Sequence, residues 1–319
     1  MAPASGRRAV KFPVGPEGAV ATPLAPALRE AYEGIAPFLD QAVFIAGLGR
    51  SGTTLLLRLI DGHPDAFVVP HESMVLTHYL PDYEANGDPA AVSAGVIDRL
   101  ARMMRKEKRV QKAADFLRQA IPLRLAKPGA PRAIFADLLA CLALEQPPAG
   151  RKLWLEKTPK NEFHLETIFA NFPAARIIFN VRDPRAAYAS NLKRKDVGMT
   201  ADAFVRGWVQ RIQVLLTFLA ENPSLRKRVL VTRYEDYVAT PEAEMPRIFR
   251  FLGIDPSFQA QPTMFGKAWK GNSFDPRTDT RGRLDNAKID KWRSEVSAED
   301  IATINREAAF EMSLVGYRD

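Results

Sequence analysis

The stretch Val43–Leu57, VFIAGLGRSGTTLLL, decides the fold of this chain. A short apolar run, a glycine-rich turn and an apolar segment without breakers predict a strand, a loop and a helix in that order. Ser51, Thr53 and Thr54 bring hydroxyls and amide N–H groups to the start of the helix, where anions bind readily. The sequence therefore predicts an anion-binding loop. Its glycines allow positive φ and close approach of a ligand, and they are Gly47, Gly49 and Gly52.

The spacing of this loop is that of a Walker A motif, but its ligand groups differ. Gly47 and Gly52 stand at the Walker spacing, whereas Thr53 and Thr54 replace the lysine and hydroxyl residue expected next. Arg50 brings a fixed charge into the loop, and a guanidinium can bind a phosphate or sulfate through two donors. These departures indicate a ligand other than ATP.

The sequence GRSGTT after a strand, followed by DGHP, resembles the phosphosulfate-binding loop of sulfotransferases that use 3′-phosphoadenosine-5′-phosphosulfate (PAPS). The tyrosylprotein-sulfotransferase-like branch has the most similar pattern. The resemblance implies PAPS as co-substrate, adenosine 3′,5′-bisphosphate as product, and transfer to an acceptor hydroxyl. It also implies that the co-substrate is bound by Arg50, Ser51, Gly52, Thr53 and Thr54.

A second motif follows a later predicted strand and resembles the 3′-phosphate site of the same family. VRDPRAAYASNLKRK contains Arg182 at the strand end and Ser190 and Arg194 one helical turn apart. The resemblance implies that these three residues bind the 3′-phosphate. The alternative for Arg182 is a structural capping pair with Asp183, and Arg185 is expected to be solvated.

The residues predicted to carry out the transfer lie after two other strands. Lys157, in WLEKTPKN, matches the family lysine that stabilises negative charge on the leaving oxygen. Pro159 stands where cytosolic sulfotransferases carry a histidine base, so the base must come from elsewhere. Glu72 matches the catalytic glutamate of the tyrosylprotein branch, with His71 as the alternative base, and Arg50 is expected to assist.

Three further segments resemble nucleotide-contacting parts of the family. Tyr234, in RYED, matches a position that lies against the nucleotide, although a tyrosine of the core would give the same pattern. KGNSF at 270–274 and TRGRL at 280–284 resemble a late loop that closes over the nucleotide, with Ser273, Arg281 and Arg283 as candidate contacts.

The order of predicted elements indicates one α/β domain over 1–319, with a P-loop-like parallel sheet flanked by helices. We expect a flexible arm at 1–25, a helical insertion at 81–150 and a nucleotide-covering loop at 258–292. Strands are predicted near 41–47, 66–69, 152–155, 176–181 and 228–232, and a long helical stretch at 184–220. Ligands of such sheets bind beyond the carboxyl ends of the strands.

Composition and charge narrow the class of protein. Of 319 residues 46% are hydrophobic and 26% charged, as in globular proteins. The formal charge of +8 suits anionic ligands, yet the basic residues are dispersed and no nucleic-acid module is evident. The single cysteine, Cys141, and the lack of a recognisable signal or membrane span predict a cytoplasmic enzyme.

The sequence leaves several alternatives for partners and activity. No metal-ligand spacing is evident, so we expect a metal-independent reaction. The acceptor is expected to be a small molecule or a peptide with a hydroxyl, and a homodimer is compatible with the sequence. A P-loop kinase of a small molecule and a non-catalytic nucleotide-binding module are the alternative functions.

Overall fold

The computed structural model describes residues 25–193, 198–259, 284, 286 and 289–318. Five parallel strands form one sheet in the order β2-β3-β1-β4-β5, so the strand that precedes the anion-binding loop lies at its centre. The strands are β1 Ala42–Ala46, β2 Ala66–Val68, β3 Leu153–Lys157, β4 Arg176–Val181 and β5 Val229–Arg233.

Helices cover both faces of the sheet and fill the connections between strands. The α-helices are α1 Pro26–Ile35, α2 Thr53–Asp61, α3 Leu80–Asn86, α4 Pro89–Met103, α5 Glu107–Leu125, α6 Ala130–Ala143, α7 Leu165–Asn171, α8 Pro184–Leu192, α9 Ala201–Glu221, α10 Tyr234–Ala239, α11 Pro241–Leu252, α12 Trp292–Glu295 and α13 Ala298–Leu314. Short 3₁₀ turns occupy Ala36–Phe38, Asn161–His164 and Pro223–Arg228, and a π-helical turn occupies Val75–Tyr79.

The central strand separates two apolar cores because successive side chains of a strand point to opposite faces. Phe44 lies on one side, where its ring contacts those of Phe135, Trp154 and Phe172 at centroid distances of 5.4 to 5.7 Å. Ile45 lies on the other side, in the cluster formed with α2 and α11. The strand that carries the loop is thus fixed from both faces.

Several predicted elements differ from the structure in extent. The stretch predicted as one helix at 184–220 contains two, α8 and α9, and the Thr200 hydroxyl caps α9 by accepting from the amide of Ala203 at 3.3 Å. Helix α3 lies at the start of the predicted helical insertion, whereas α10 and α11 had no counterpart in the prediction. The last of these has clear signals, since Pro241 begins it and Gly253 follows it with a φ of +74°.

The parallel arrangement brings the carboxyl ends of the strands to one edge of the sheet. The loop after β1, Lys157 at the end of β3, Arg182 after β4 and Tyr234 after β5 all lie at this edge. Within the part of the chain that the structure describes, no helix has the length and apolar character needed to cross a membrane.

Candidate active site at the carboxyl edge of the sheet

The loop between β1 and α2 has an unusual backbone. Gly47 has a φ of +130° and Gly52 a φ of +89°, as expected of glycines in such a loop. The third positive φ, however, belongs to Arg50 at 74° and not to Gly49. The prediction for Gly49 was therefore wrong, and the loop holds a non-glycine residue in a conformation that the surrounding structure must stabilise.

Contacts from β4 and α10 fix the loop at two of its three glycines. A Cβ atom at Gly47 would lie 2.2 Å from the carbonyl oxygen of Asn180, and one at Gly52 would lie 2.3 Å from the ring of Tyr234. The Asn180 side chain donates to the Ser51 carbonyl at 2.6 Å, and the Tyr237 hydroxyl donates to the Gly52 carbonyl at 3.1 Å. Only glycine fits at either position without displacing its neighbours.

The sequence did not indicate that a buried carboxylate binds the backbone amide of the first loop residue, Gly47. Glu162 accepts a hydrogen bond from the amide of Gly47 at 3.1 Å, and its other oxygen lies 2.8 Å from Nε of Arg211 on α9. An arginine within the apolar stripe of α9, next to Trp208 and Leu215, is the sequence signal that could have indicated this pair.

The two motifs predicted to bind anions are in contact with each other. Nε of Arg50 donates to the Ser190 hydroxyl at 3.1 Å, and a guanidinium N–H of Arg182 donates to the Arg50 carbonyl at 3.2 Å. The Arg182 guanidinium also lies 4.2 Å from the centroid of the Tyr234 ring. Arg50 therefore reaches from the loop to α8 and connects the two motifs.

Two polar atoms of these motifs are exceptions to the usual pairing of buried polar groups. In the described segments, the Ser51 hydroxyl and Nε of Arg182 are buried without a hydrogen-bond partner. Buried polar atoms normally have partners, so each of these marks a position where a polar ligand atom can bind. Tyr234 is itself buried, and its ring packs against the backbone of Gly52 and against the guanidinium of Arg182.

Arg185, expected to be solvated, is buried. Its guanidinium forms an ion pair with Asp183 at 2.8 Å, lies 4.3 Å from the centroid of the Trp292 ring and donates to the Arg318 carbonyl at 2.9 Å. Asp183 pairs with Arg185 and caps α8, so the capping pair considered for Arg182 does not form. The aromatic ring and the carbonyl come from distant parts of the chain, which no local pattern could reveal.

The predicted base and the predicted lysine form an ion pair. Nζ of Lys157 lies 2.6 Å from Oε1 of Glu72, with the lysine side chain 6% and the glutamate side chain 35% exposed. Lys157 is adjacent to Ile45 across the sheet, two residues before Gly47, so this pair lies next to the loop. A buried ammonium and a partly exposed carboxylate therefore meet beside the anion-binding motifs.

His71, the alternative base, is exposed at the side of this pair. Partial desolvation, followed by the charges of Arg58 and Lys157, lowers its pKa from the ordinary histidine value. The imidazole is therefore uncharged near neutral pH and able to accept a proton.

Some predicted residues fall outside the described part of the chain. These candidates are Arg194, Ser273, Arg281 and Arg283.

Among the described residues, no group of three or more His, Cys, Asp or Glu side chains could hold a metal ion.

Comparison with known proteins assigns the family. The family model described as the sulfotransferase family matches residues 42–259, more than half of the chain and all five strands. This chain belongs to the sulfotransferase family. The family predicted from the loop and the 3′-phosphate motif is confirmed, and sulfuryl transfer is the reaction class.

Relatives of this sulfotransferase act in different settings. Nodulation protein NoeE of Sinorhizobium fredii is 26% identical over 308 residues, which cover 86% of this chain and 67% of that protein. Protein-tyrosine sulfotransferase 2 of Gallus gallus is 27% identical over 224 residues, covering 66% of this chain and 51% of that enzyme. The chain thus spans about two thirds of the first relative and half of the second.

Solved structures agree with the predicted fold. The sulfotransferase domain from the curacin biosynthetic pathway matches with a TM-score of 0.54 and 20% identity, covering 86% of this chain and 97% of that one. The sulfotransferase domain of the Synechococcus PCC 7002 olefin synthase matches with a TM-score of 0.51 and 22% identity over 85% and 94% of the two chains. The P-loop-like α/β fold is therefore confirmed.

The close approach at Gly47 can be tested by adding one methyl group. Gly47→Ala should lower the free energy of unfolding by about 1 to 3 kcal/mol, because the added Cβ meets the Asn180 carbonyl oxygen and the φ is unfavourable for alanine. Gly49→Ala is the matched control, since the added Cβ would lie more than 4 Å from every described residue other than its two neighbours in the chain. Urea denaturation should show a control within about 0.5 kcal/mol of the wild type. Equal losses for the two variants would contradict the loop geometry.

Proposed function

We propose that this sulfotransferase moves the sulfuryl group of PAPS to an acceptor hydroxyl, with Glu72 as general base. The observation that carries the proposal is the 2.6 Å contact of Lys157 with Glu72 beside the two connected anion motifs. In-line transfer needs removal of the acceptor proton and stabilisation of charge on the leaving oxygen. A carboxylate and an ammonium at one sheet edge meet both needs.

The anion motifs have the donors that a nucleotide with two phosphates requires. Amides at the start of α2, together with the unpartnered hydroxyl of Ser51, suit the phosphosulfate end. Arg182 and Ser190, joined to the loop through Arg50, suit the 3′-phosphate. Thr53 and Thr54, in the first turn of α2, belong to the phosphosulfate end. When bound, PAPS supplies an activated sulfuryl group on a phosphate leaving group.

Lys157 is suited to act on the leaving oxygen. Its ammonium is nearly buried at the end of β3, where the low dielectric strengthens its effect on a nearby negative charge. Arg50 is directed toward Ser190, so its contribution is to bind and connect the nucleotide phosphates. Lys157 therefore carries the electrostatic part of the transfer step.

Glu72 is suited to take the proton of the acceptor. Its side chain is 35% exposed, which leaves it accessible to an incoming hydroxyl, and its carboxylate contacts the Lys157 ammonium. In in-line transfer the sulfur moves from the leaving oxygen, which Lys157 would contact, to the acceptor oxygen, which Glu72 would contact. The 2.6 Å contact between Lys157 and Glu72 leaves no room for these groups between the two side chains. We infer that this ion pair separates when both substrates bind.

The acceptor is a hydroxyl compound or a peptide tyrosine. Relatives include proteins named protein-tyrosine sulfotransferases, which supports the peptide, and NoeE, which shows that the similarity is not restricted to them. The π-helical turn and α4, next to each other in the fold, follow the loop that carries Glu72 and are suited to contact the acceptor. Transfer of labelled sulfur from PAPS to phenols, glycans, lipids and tyrosine peptides identifies the class.

The donor assignment predicts that Arg182 distinguishes nucleotides by their 3′-phosphate. Arg182→Ala should weaken binding of adenosine 3′,5′-bisphosphate by ~10- to 100-fold, about 1.5 to 3 kcal/mol, because a charge-assisted contact is lost. Binding of AMP, which lacks that phosphate, should change little. Isothermal titration calorimetry measures both, with Arg206→Ala, an exposed arginine paired with Asp202, as control.

Two results would count against this donor assignment. An equal loss for both nucleotides would mean that Arg182 does not contact the 3′-phosphate. Tighter binding of ATP than of the bisphosphate by the wild type would favour the kinase alternative.

The base assignment predicts separate effects on binding and chemistry. Glu72→Gln should lower the single-turnover rate constant by ~10²–10⁴ while adenosine 3′,5′-bisphosphate still binds, because only proton removal is lost. His71→Ala serves as the matched control one residue away. A near-normal rate for Glu72→Gln together with a lost rate for His71→Ala would make His71 the base.

A further inference from the structure

Glu156, the residue before Lys157, is a fully buried carboxylate held by neutral donors. Oε1 accepts from the amide of Ser73 at 3.2 Å and from its hydroxyl at 2.9 Å, and the Thr158 hydroxyl donates to the same oxygen. Oε2 accepts from the Asn161 side-chain amide at 2.9 Å. Burial raises the pKa of Glu156, and these donors act against the rise.

The partners of Glu156 come from the two segments that carry the proposed catalytic pair. Ser73 directly follows Glu72 in the loop after β2, and Thr158 directly follows Lys157 at the end of β3. The Thr158 hydroxyl also accepts from the amide of Met74 at 3.3 Å, so the loop has a second attachment to the same strand end. These bonds link residues more than 80 positions apart in the chain.

Glu156 itself has no access to a ligand. Its exposed fraction is 0%, and adjacent strand residues point to opposite faces, so its side chain projects away from that of Lys157. The partners of Glu156 among the described residues include no cation. Burying a carboxylate in this way is costly, and replacement by an apolar side chain of that size would serve packing better. Packing alone therefore does not account for an acid at this position.

We propose that Glu156 is a positioning residue that fixes the Glu72 loop against the strand end that carries Lys157. This inference rests on the proposed function, in which those two groups act on either side of the transferred sulfuryl group. The carboxylate suits the task because both oxygens must accept. The Ser73 amide can only donate, and the Asn161 amide is oriented as a donor because it also donates to the Ile45 carbonyl at 3.3 Å.

The proposal predicts a specific defect for Glu156→Gln. The glutamine amide would place a donor against Ser73 or against Asn161, so one bond is lost and the loop loosens. We expect faster amide hydrogen exchange in a peptide spanning residues 70–76, and a turnover number lowered by ~10- to 100-fold, because small displacements of reacting groups are costly. The affinity for adenosine 3′,5′-bisphosphate should stay within about twofold, since the anion motifs keep their contacts.

A double-mutant comparison separates positioning from a general structural role. If Glu156 acts through Glu72, then Glu156→Gln should lower turnover by less than ~3-fold when Glu72 is already Gln, because effects on one functional unit are not additive. Ser73→Ala is the second variant in case Glu156→Gln does not fold. It removes the 2.9 Å bond from the hydroxyl to Glu156, together with the 3.4 Å bond that this hydroxyl accepts from the amide of Val75, and should show the same pattern with a smaller loss.

Glu244→Gln is the matched control. Glu244 is also a buried carboxylate, bonded to the Thr232 hydroxyl at 2.8 Å and paired with Arg247, but it lies on α11 and contacts neither catalytic segment. Its replacement should lower the melting temperature without changing turnover or exchange at 70–76.

The possible outcomes are distinct for the two proposals. If Glu156→Gln lowers turnover by the same factor in the wild type and in the Glu72→Gln variant, the positioning role is overturned. Unchanged amide hydrogen exchange in the peptide 70–76 would overturn it as well. The exchange measurement does not depend on turnover. A wild type that transfers no sulfuryl group from PAPS to any acceptor class would instead refute the proposed function.

Discussion

The backbone of Gly47 runs so close to β4 that a single added carbon would lie 2.2 Å from the Asn180 carbonyl oxygen. This approach fixes the path of the chain as it leaves the central strand, because Asn180 also binds the Ser51 carbonyl and Glu162 binds the Gly47 amide. The loop is consequently held from β4 on one side and from the segment after β3 on the other. Its amides at the start of α2 can then remain in place for an anion without reorganisation.

Buried charge has a consistent distribution around this edge of the sheet. The ammonium of Lys157 is nearly buried but meets the partly exposed carboxylate of Glu72, whereas Glu156 and Glu162 are fully buried and bind amides, hydroxyls or an arginine. Lys157 and Glu72, which lie beside the anion-binding loop, are thus surrounded by the buried carboxylates Glu156 and Glu162, which bind the backbone and side chains of the neighbouring segments. A site on rigid strand ends with such support is suited to hold reacting groups in fixed geometry.

The sequence was sufficient to predict the strands, the loop and the family, because these depend on local patterns. Apolar runs such as Arg176–Val181 predicted strands directly, and the loop after β1 has a spacing that few other structures share. The connection of Arg50 to Ser190 follows from the parallel topology, which brings strand ends together.

Features that depend on distant partners could not be predicted in this way. Burial of Arg185 requires Trp292 and Arg318, more than 100 positions away, and the Glu162–Arg211 pair joins two helical segments by tertiary packing alone. The positive φ of Arg50 was missed for a related reason. A glycine nearby was the expected choice, but contacts with Arg182, just after β4, and with Ser190 on α8 hold the arginine in this conformation.

The central claim is that two connected anion motifs bind opposite ends of one nucleotide beside Lys157 and Glu72. A crystal structure of the protein with adenosine 3′,5′-bisphosphate tests it most directly. We expect the 5′-phosphate on the amides at the start of α2, within reach of Lys157, and the 3′-phosphate on Arg182 and Ser190. A nucleotide bound in the reverse orientation, or away from the carboxyl edge of the sheet, would contradict it.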